Sequence, residues 1–93
     1  MLRIEYTKQY SKDYKLAKKR GLDINKLKDV IHKLSNKEPL PIESKDHELI
    51  NSRNYKNVRE CHIEPDWLLV YQIQEDILVL RLIRTGTHSD LFK

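Results

Sequence analysis

Two imidazoles, His62 and His88, lie beside groups that could complete an acid-base site. His62 belongs to the run His62-Ile63-Glu64-Pro65-Asp66-Trp67, and His88 to Arg84-Thr85-Gly86-Thr87-His88-Ser89-Asp90-Leu91-Phe92-Lys93. An unperturbed imidazole titrates near ~6.5, so it can give or take a proton at neutral pH. A guanidinium offsets charge at phosphorus, and aromatic faces stack on splayed bases. These residues come without a nucleophilic serine or a glycine loop that cradles phosphate. Together they suit acid-base cleavage of RNA.

His47, His62, Asp66, Arg84 and His88 come from four segments, and topology has to bring them together. Asp66 follows the strand of His62, while Arg84 and His88 leave the end of a strand that pairs with the central one. In a simple meander this puts Asp66 and Arg84 at the same end of the sheet. Arg81 and Arg84 differ by an odd number, so without a bulge only one of them faces the site. His47, His62, Asp66 and His88 also make a conceivable zinc set, but no dense HxxxH or CxxC spacing supports it, and no metal or cofactor is expected. Trp67 and Phe92 are candidates for base stacking; their bland alternatives are sheet packing and a C-terminal plug. His32 reads as a surface residue.

The positioning elements follow from periodicity. Residues 2–6 alternate as a strand. Thr7 caps a helix over 8–20 that ends at Gly21, with Tyr10, Tyr14 and Ala17 as its buried stripe. Asp23 caps a second helix over 24–35, where Leu27, Val30, Ile31 and Leu34 follow the helical repeat. Residues 36–46 read as a loop and 47–56 as polar and irregular, with at most a short strand. Strands at 58–64, 67–74 and 77–84 follow, separated by Pro65-Asp66 and Glu75-Asp76. The expected fold is α+β: a small antiparallel sheet with a mixed edge and an N-terminal helical hairpin on one face. The other face is expected as an open platform bearing His62, with Trp67 and Tyr71 as further candidates.

With 93 residues, 39% hydrophobic and 34% charged, the chain reads as one globular domain over 1–93 rather than a disordered one. Neither a signal peptide nor a membrane span is evident, and the lone Cys61 lies in a strand, so a cytoplasmic protein with a packed thiol is expected. Charge is uneven: residues 1–37 hold eleven Lys or Arg against four acids, and residues 38–93 seven against ten. The basic helices are either a footprint for polyanions or an acidic partner, or a solvated face.

YSKDYKLAKKRG, KDHELI, RECHIEPDWLLVYQI and RTGTHSDLF together resemble the RelE superfamily toxins of the YafQ type, almost end to end. The resemblance implies a RelE-like fold and a ribosome-dependent mRNA endoribonuclease from a type II toxin-antitoxin pair. It marks His47, His62, Asp66, Arg84 and His88 as catalytic and Trp67 and Phe92 as substrate-binding. The implied partners are a cognate antitoxin and mRNA on the ribosome, with ribosomal RNA met by the basic helices and operator DNA met only through the antitoxin complex. In the expected mechanism the ribose 2′-hydroxyl attacks phosphorus. His88 is the acid and Asp66 the provisional base, while His47 and His62 position the ribose and phosphate or share the base role. Arg84 neutralises charge. The rival from another class is a non-catalytic RNA-binding or regulatory module.

Overall fold

The computed structural model describes residues 1–49 and 57–92. Strand β1 (Arg3–Tyr6) leads into helices α1 (Lys8–Lys19) and α2 (Ile24–Ser35), a 3₁₀ turn at Ile42–Ser44, and β2 (His47–Glu48). Strands β3 (Val58–Glu64), β4 (Trp67–Gln74) and β5 (Val79–Gly86) follow, and α3 (His88–Leu91) comes last. The sheet order is β1-β5-β4-β3-β2. β1 runs parallel to β5 and the other pairs are antiparallel, which makes the sheet mixed at that edge.

The caps form as the sequence predicts. Thr7 Oγ1 accepts from the Tyr10 amide at 2.9 Å and the Asp23 carboxylate from the Asn25 amide at 3.1 Å, satisfying donors that the first helical turn leaves open. Gly21, at φ +79, turns the chain between the helices in the left-handed region that glycine enters without strain. The main core lies between helices and sheet: Tyr10, Ala17, Leu27 and Leu34 pack with Cys61, Trp67, Leu69, Tyr71, Leu80 and Leu82. Burial pushes the Cys61 thiol up to about 12, as suits a packed, unreactive side chain.

Two expectations are corrected, and one element is added. The last long strand starts at Val79, not residue 77, and runs on to Gly86. Ile77 and Leu78 are exposed, and Leu78 takes a left-handed φ of 54° in a turn where its amide bonds to the Glu75 carbonyl, which no ladder residue can do. The tail beyond the sheet contains a helical turn, α3, that periodicity over so few residues does not reveal. The second face is not an open platform. Val58, Val70 and Ile83 form a small buried cluster there, with Leu49 and Leu91 packed against it. The short strand expected within 47–56 is β2; residues 50–56 lie outside the described residues.

Candidate active site

One corner of the sheet gathers four of the predicted residues. Asp66 occupies the β3–β4 turn, where its Oδ1 accepts two hydrogen bonds from His88, from the backbone amide at 3.0 Å and from ring Nδ1 at 2.6 Å. The amide bond first, and the ring bond second, hold the Asp66 carboxyl below the ordinary carboxylate range. An ionised Asp66 therefore fixes Nδ1–H and turns Nε2 of His88 outward. The His62 ring lies 5.7 Å from that of His88, centroid to centroid, and the half-exposed Phe92 ring lies 6.4 Å from the same ring.

His62 has a defined tautomer as well. Its Nδ1 is 3.2 Å from the Pro65 carbonyl, an acceptor, so Nδ1 carries the hydrogen and the neutral ring leaves its Nε2 lone pair free. The β3–β4 register slips between His62 and Glu64, next to this ring. A second slip between Val70 and Tyr71 makes Ile83 the extra residue of β5, immediately before Arg84. Bulges bend and twist a strand and re-aim its side chains. Here the β4–β5 bulge changes the parity of Arg81 and Arg84, which now pair with Gln72 and Val70, alternate residues of one strand.

The remaining predicted residues engage other partners. His47 donates from Nδ1 to the Lys45 carbonyl at 2.7 Å, and its Nε2 lies 3.6 Å from Glu60 Oε1. Arg84 forms a fork with Asp13 of α1, Nε to Oδ2 at 3.0 Å and Nη2 to Oδ1 at 3.1 Å, and keeps a third of its side chain exposed. Trp67 corrects the expectation of a stacking surface. It is 2% exposed in the helix-side core, and its Nε1–H donates to Thr85 Oγ1 at 2.9 Å, so its ring has no free face. Tyr71 is buried on the same side, where its hydroxyl donates to Asp46 at 2.5 Å.

Sequence reasoning missed the carboxylates that hold these groups. Asp13, 8% exposed, accepts the Arg84 fork and also the Thr85 amide at 3.2 Å. Asp90 closes a capping box with Thr87 and accepts a fork from Arg20. A Thr-x-x-Asp spacing was the available signal for Asp90. Nothing local in the sequence marks Asp13.

A mixed sheet under a helical hairpin is also the fold of known toxins. Residues 2–93 match the family described as bacterial toxin of type II toxin-antitoxin system, YafQ. The mRNA interferase toxin YafQ of Escherichia coli K12 is 51% identical over 90 residues, spanning 96% of this chain and 94% of its own length. A chain of the E. coli DinJ-YafQ complex superposes with a TM-score of 0.88 at 48% identity and covers 100% of both chains. A metal-bound toxin from Helicobacter pylori gives a TM-score of 0.91 at 44% identity, over 99% of this chain and 100% of that one. This protein is thus a bacterial toxin of the type II toxin-antitoxin class. Within that class the chain belongs to the YafQ family. Among the described residues no group of three or more His, Cys, Asp or Glu side chains is arranged to hold a metal ion.

Proposed function

We propose that this toxin cleaves mRNA presented by the ribosome, with His62 and His88 serving the two ends of one phosphodiester. The observation that carries the proposal is the oriented imidazole pair, with 5.7 Å between ring centroids and each Nδ1 committed to an oxygen acceptor. Nε2 of neutral His62 accepts the proton of the ribose 2′-hydroxyl as that oxygen attacks phosphorus. Nε2 of protonated His88 donates to the departing 5′ oxygen as the P–O bond breaks. The products are a 2′,3′-cyclic phosphate, which can open to a 3′-phosphate, and a 5′-hydroxyl.

Asp66, the base expected from sequence, fits a different part in this scheme. A carboxyl held low by two hydrogen bonds is a weak base but a good support for the imidazolium of His88. Arg84, still partly exposed, offsets charge gathering at phosphorus; His47 addresses the strand from the β2 edge, and Phe92 holds a base. The cognate partner is an antitoxin, as DinJ is for E. coli YafQ. The basic helices meet ribosomal RNA, and operator DNA is reached only within the antitoxin complex. The setting is the cytoplasm; no helix among the described residues is long and apolar enough to cross a membrane.

The test is single-turnover cleavage of ribosome-bound mRNA with the 5′ ends mapped and their chemistry determined. Cleavage leaving 5′-hydroxyl ends, lost in His88→Ala with ribosome binding intact, supports the proposal. Wild-type protein that binds RNA and yields no products is a binding module instead. Loss of activity in EDTA, with magnesium kept sufficient for ribosomes, that only zinc restores would overturn the metal-free scheme.

A further inference from the structure

The turn that carries His88 is four residues long, far below the length at which a helix stands by itself in water. Its placement must come from contacts outside it: Leu91 packs on the Val58–Val70–Ile83 cluster, Asp66 takes two bonds from His88, and the Asp90 carboxylate joins the turn to α1. Asp90 Oδ2 accepts the Thr87 amide at 2.9 Å, while the Asp90 amide donates to Thr87 Oγ1 at 3.1 Å. The same carboxylate receives both arms of the Arg20 guanidinium, Nη1 to Oδ2 at 2.7 Å and Nη2 to Oδ1 at 3.2 Å. Gly86 makes room for it: a Cβ there would lie 2.9 Å from Asp90 Oδ2 and 3.0 Å from Asp90 Cβ.

Arg20 is the C-cap of α1, and α1 is anchored in the main core by Tyr10 and Ala17. The Arg20–Asp90 fork therefore ties a marginal turn to a rigid element 70 residues away in sequence. His88 is two positions from Asp90, and its amide and ring both depend on that turn to reach Asp66. An acid must be held within a fraction of an ångström of its leaving group, and misplacement by ~1 Å can cost about 10²-fold. A bidentate arginine-carboxylate pair supplies direction as well as attraction. The geometry points to Arg20 as a positioning residue for His88, acting through Asp90 and the α3 turn without touching RNA. This rests on the reading of His88 as the acid given above.

The experiment pairs kinetics with a measurement that needs no RNA. In Arg20→Ala, single-turnover cleavage on ribosomes should fall about 10-fold to 10²-fold with little change in KM. Hydrogen exchange of the His88 amide, followed by NMR on the free toxin, should speed up while core amides such as that of Leu69 keep their protection. Arg20→Lys keeps the charge but not the fork and should recover part of both effects. Gly86→Ala, which sets a Cβ against the Asp90 carboxylate, should reproduce them, so the test survives if one variant folds poorly. Unchanged His88 exchange in both Arg20→Ala and Gly86→Ala overturns the role, even if cleavage falls, because Arg20 would then be acting on RNA directly. Absence of cleavage by the wild type is a separate result: it removes the nuclease reading, while the exchange data still report whether Arg20 places His88.

Discussion

The two faces of the sheet are built to different rules. On the helix side, large apolar residues from both helices and three strands close a continuous core, and even the polar end of Trp67 finds Thr85. On the other side only Val58, Val70 and Ile83 form a small cluster, and nearby polar groups are held by pairwise ties: Asp66 to His88 and His47 to Glu60. Apolar packing is non-directional and tolerant of detail, so it makes a stable floor. Acid-base chemistry needs direction, which forks and paired hydrogen bonds supply. One face should therefore respond to mutation in stability and the other in rate.

The largest separation is expected between a core deletion and an acid deletion. Leu69→Ala, at a position with no exposed surface, should lower unfolding free energy by about 2–5 kcal/mol in a denaturant titration. His88→Ala should leave that titration unchanged and cut single-turnover cleavage by about 10²-fold or more. A large stability loss in His88→Ala would break the contrast between the faces. Trp67→Phe is a sharper probe: losing the bond to Thr85 should cost about 1 kcal/mol of stability with cleavage near normal, and a strong loss of RNA affinity would put Trp67 back among the stacking residues.

Acid provides the next test. Arg20, then the Thr87 amide, hold the Asp90 carboxyl well below the ordinary range, so its folded value lies under its unfolded one. The stability this contributes is present above the unfolded value near ~4 and is lost as pH falls through the folded value. The gap in Tm between wild type and Asp90→Asn should thus hold steady from about pH 7 to 5 and shrink under stronger acid; a gap that widens would contradict the assignment. The smallest effect is expected from reversing Lys15, Lys18 and Lys19, exposed residues of α1. Partner and ribosome association should weaken at low salt and converge with wild type as charges are screened over roughly 10 Å at 0.1 M. Equal affinity at every salt concentration would leave this face as solvated surface.

Much of the frame was legible in the sequence, for identifiable reasons. Strands β3 and β4 carry alternation between turn-forming residues, and both long helices announce their caps. The facing of β4 was harder to read, because Leu68 and Val70 on one side are as apolar as Trp67, Leu69 and Tyr71 on the other; volume, which alternation ignores, puts the larger set under the helices. Ile77 and Leu78 mimic a strand start by composition while forming a turn. At the site, topology put Asp66, Arg84 and His88 at one end of the sheet, with His62 on the strand that leads to Asp66. The Asp13–Arg84 fork joins residues 71 apart and the Arg20–Asp90 fork residues 70 apart, and no local pattern encodes such partners.

The parallel pairing of β1 with β5 also sets the order in which the molecule can be assembled. Thr7 seals this edge by donating its hydroxyl to the Ile83 carbonyl, 76 residues onward. A chain growing from its N-terminus makes its first strand and both long helices well before any partner for that strand exists. Closing so long a loop is slow and must precede its reward. The two helices therefore wait with part of their apolar stripe uncovered until β5 arrives, and β5 brings Arg84 with it and His88 directly behind. The nascent chain completes its core only when this last strand docks, so until then its apolar residues stay open to other contacts.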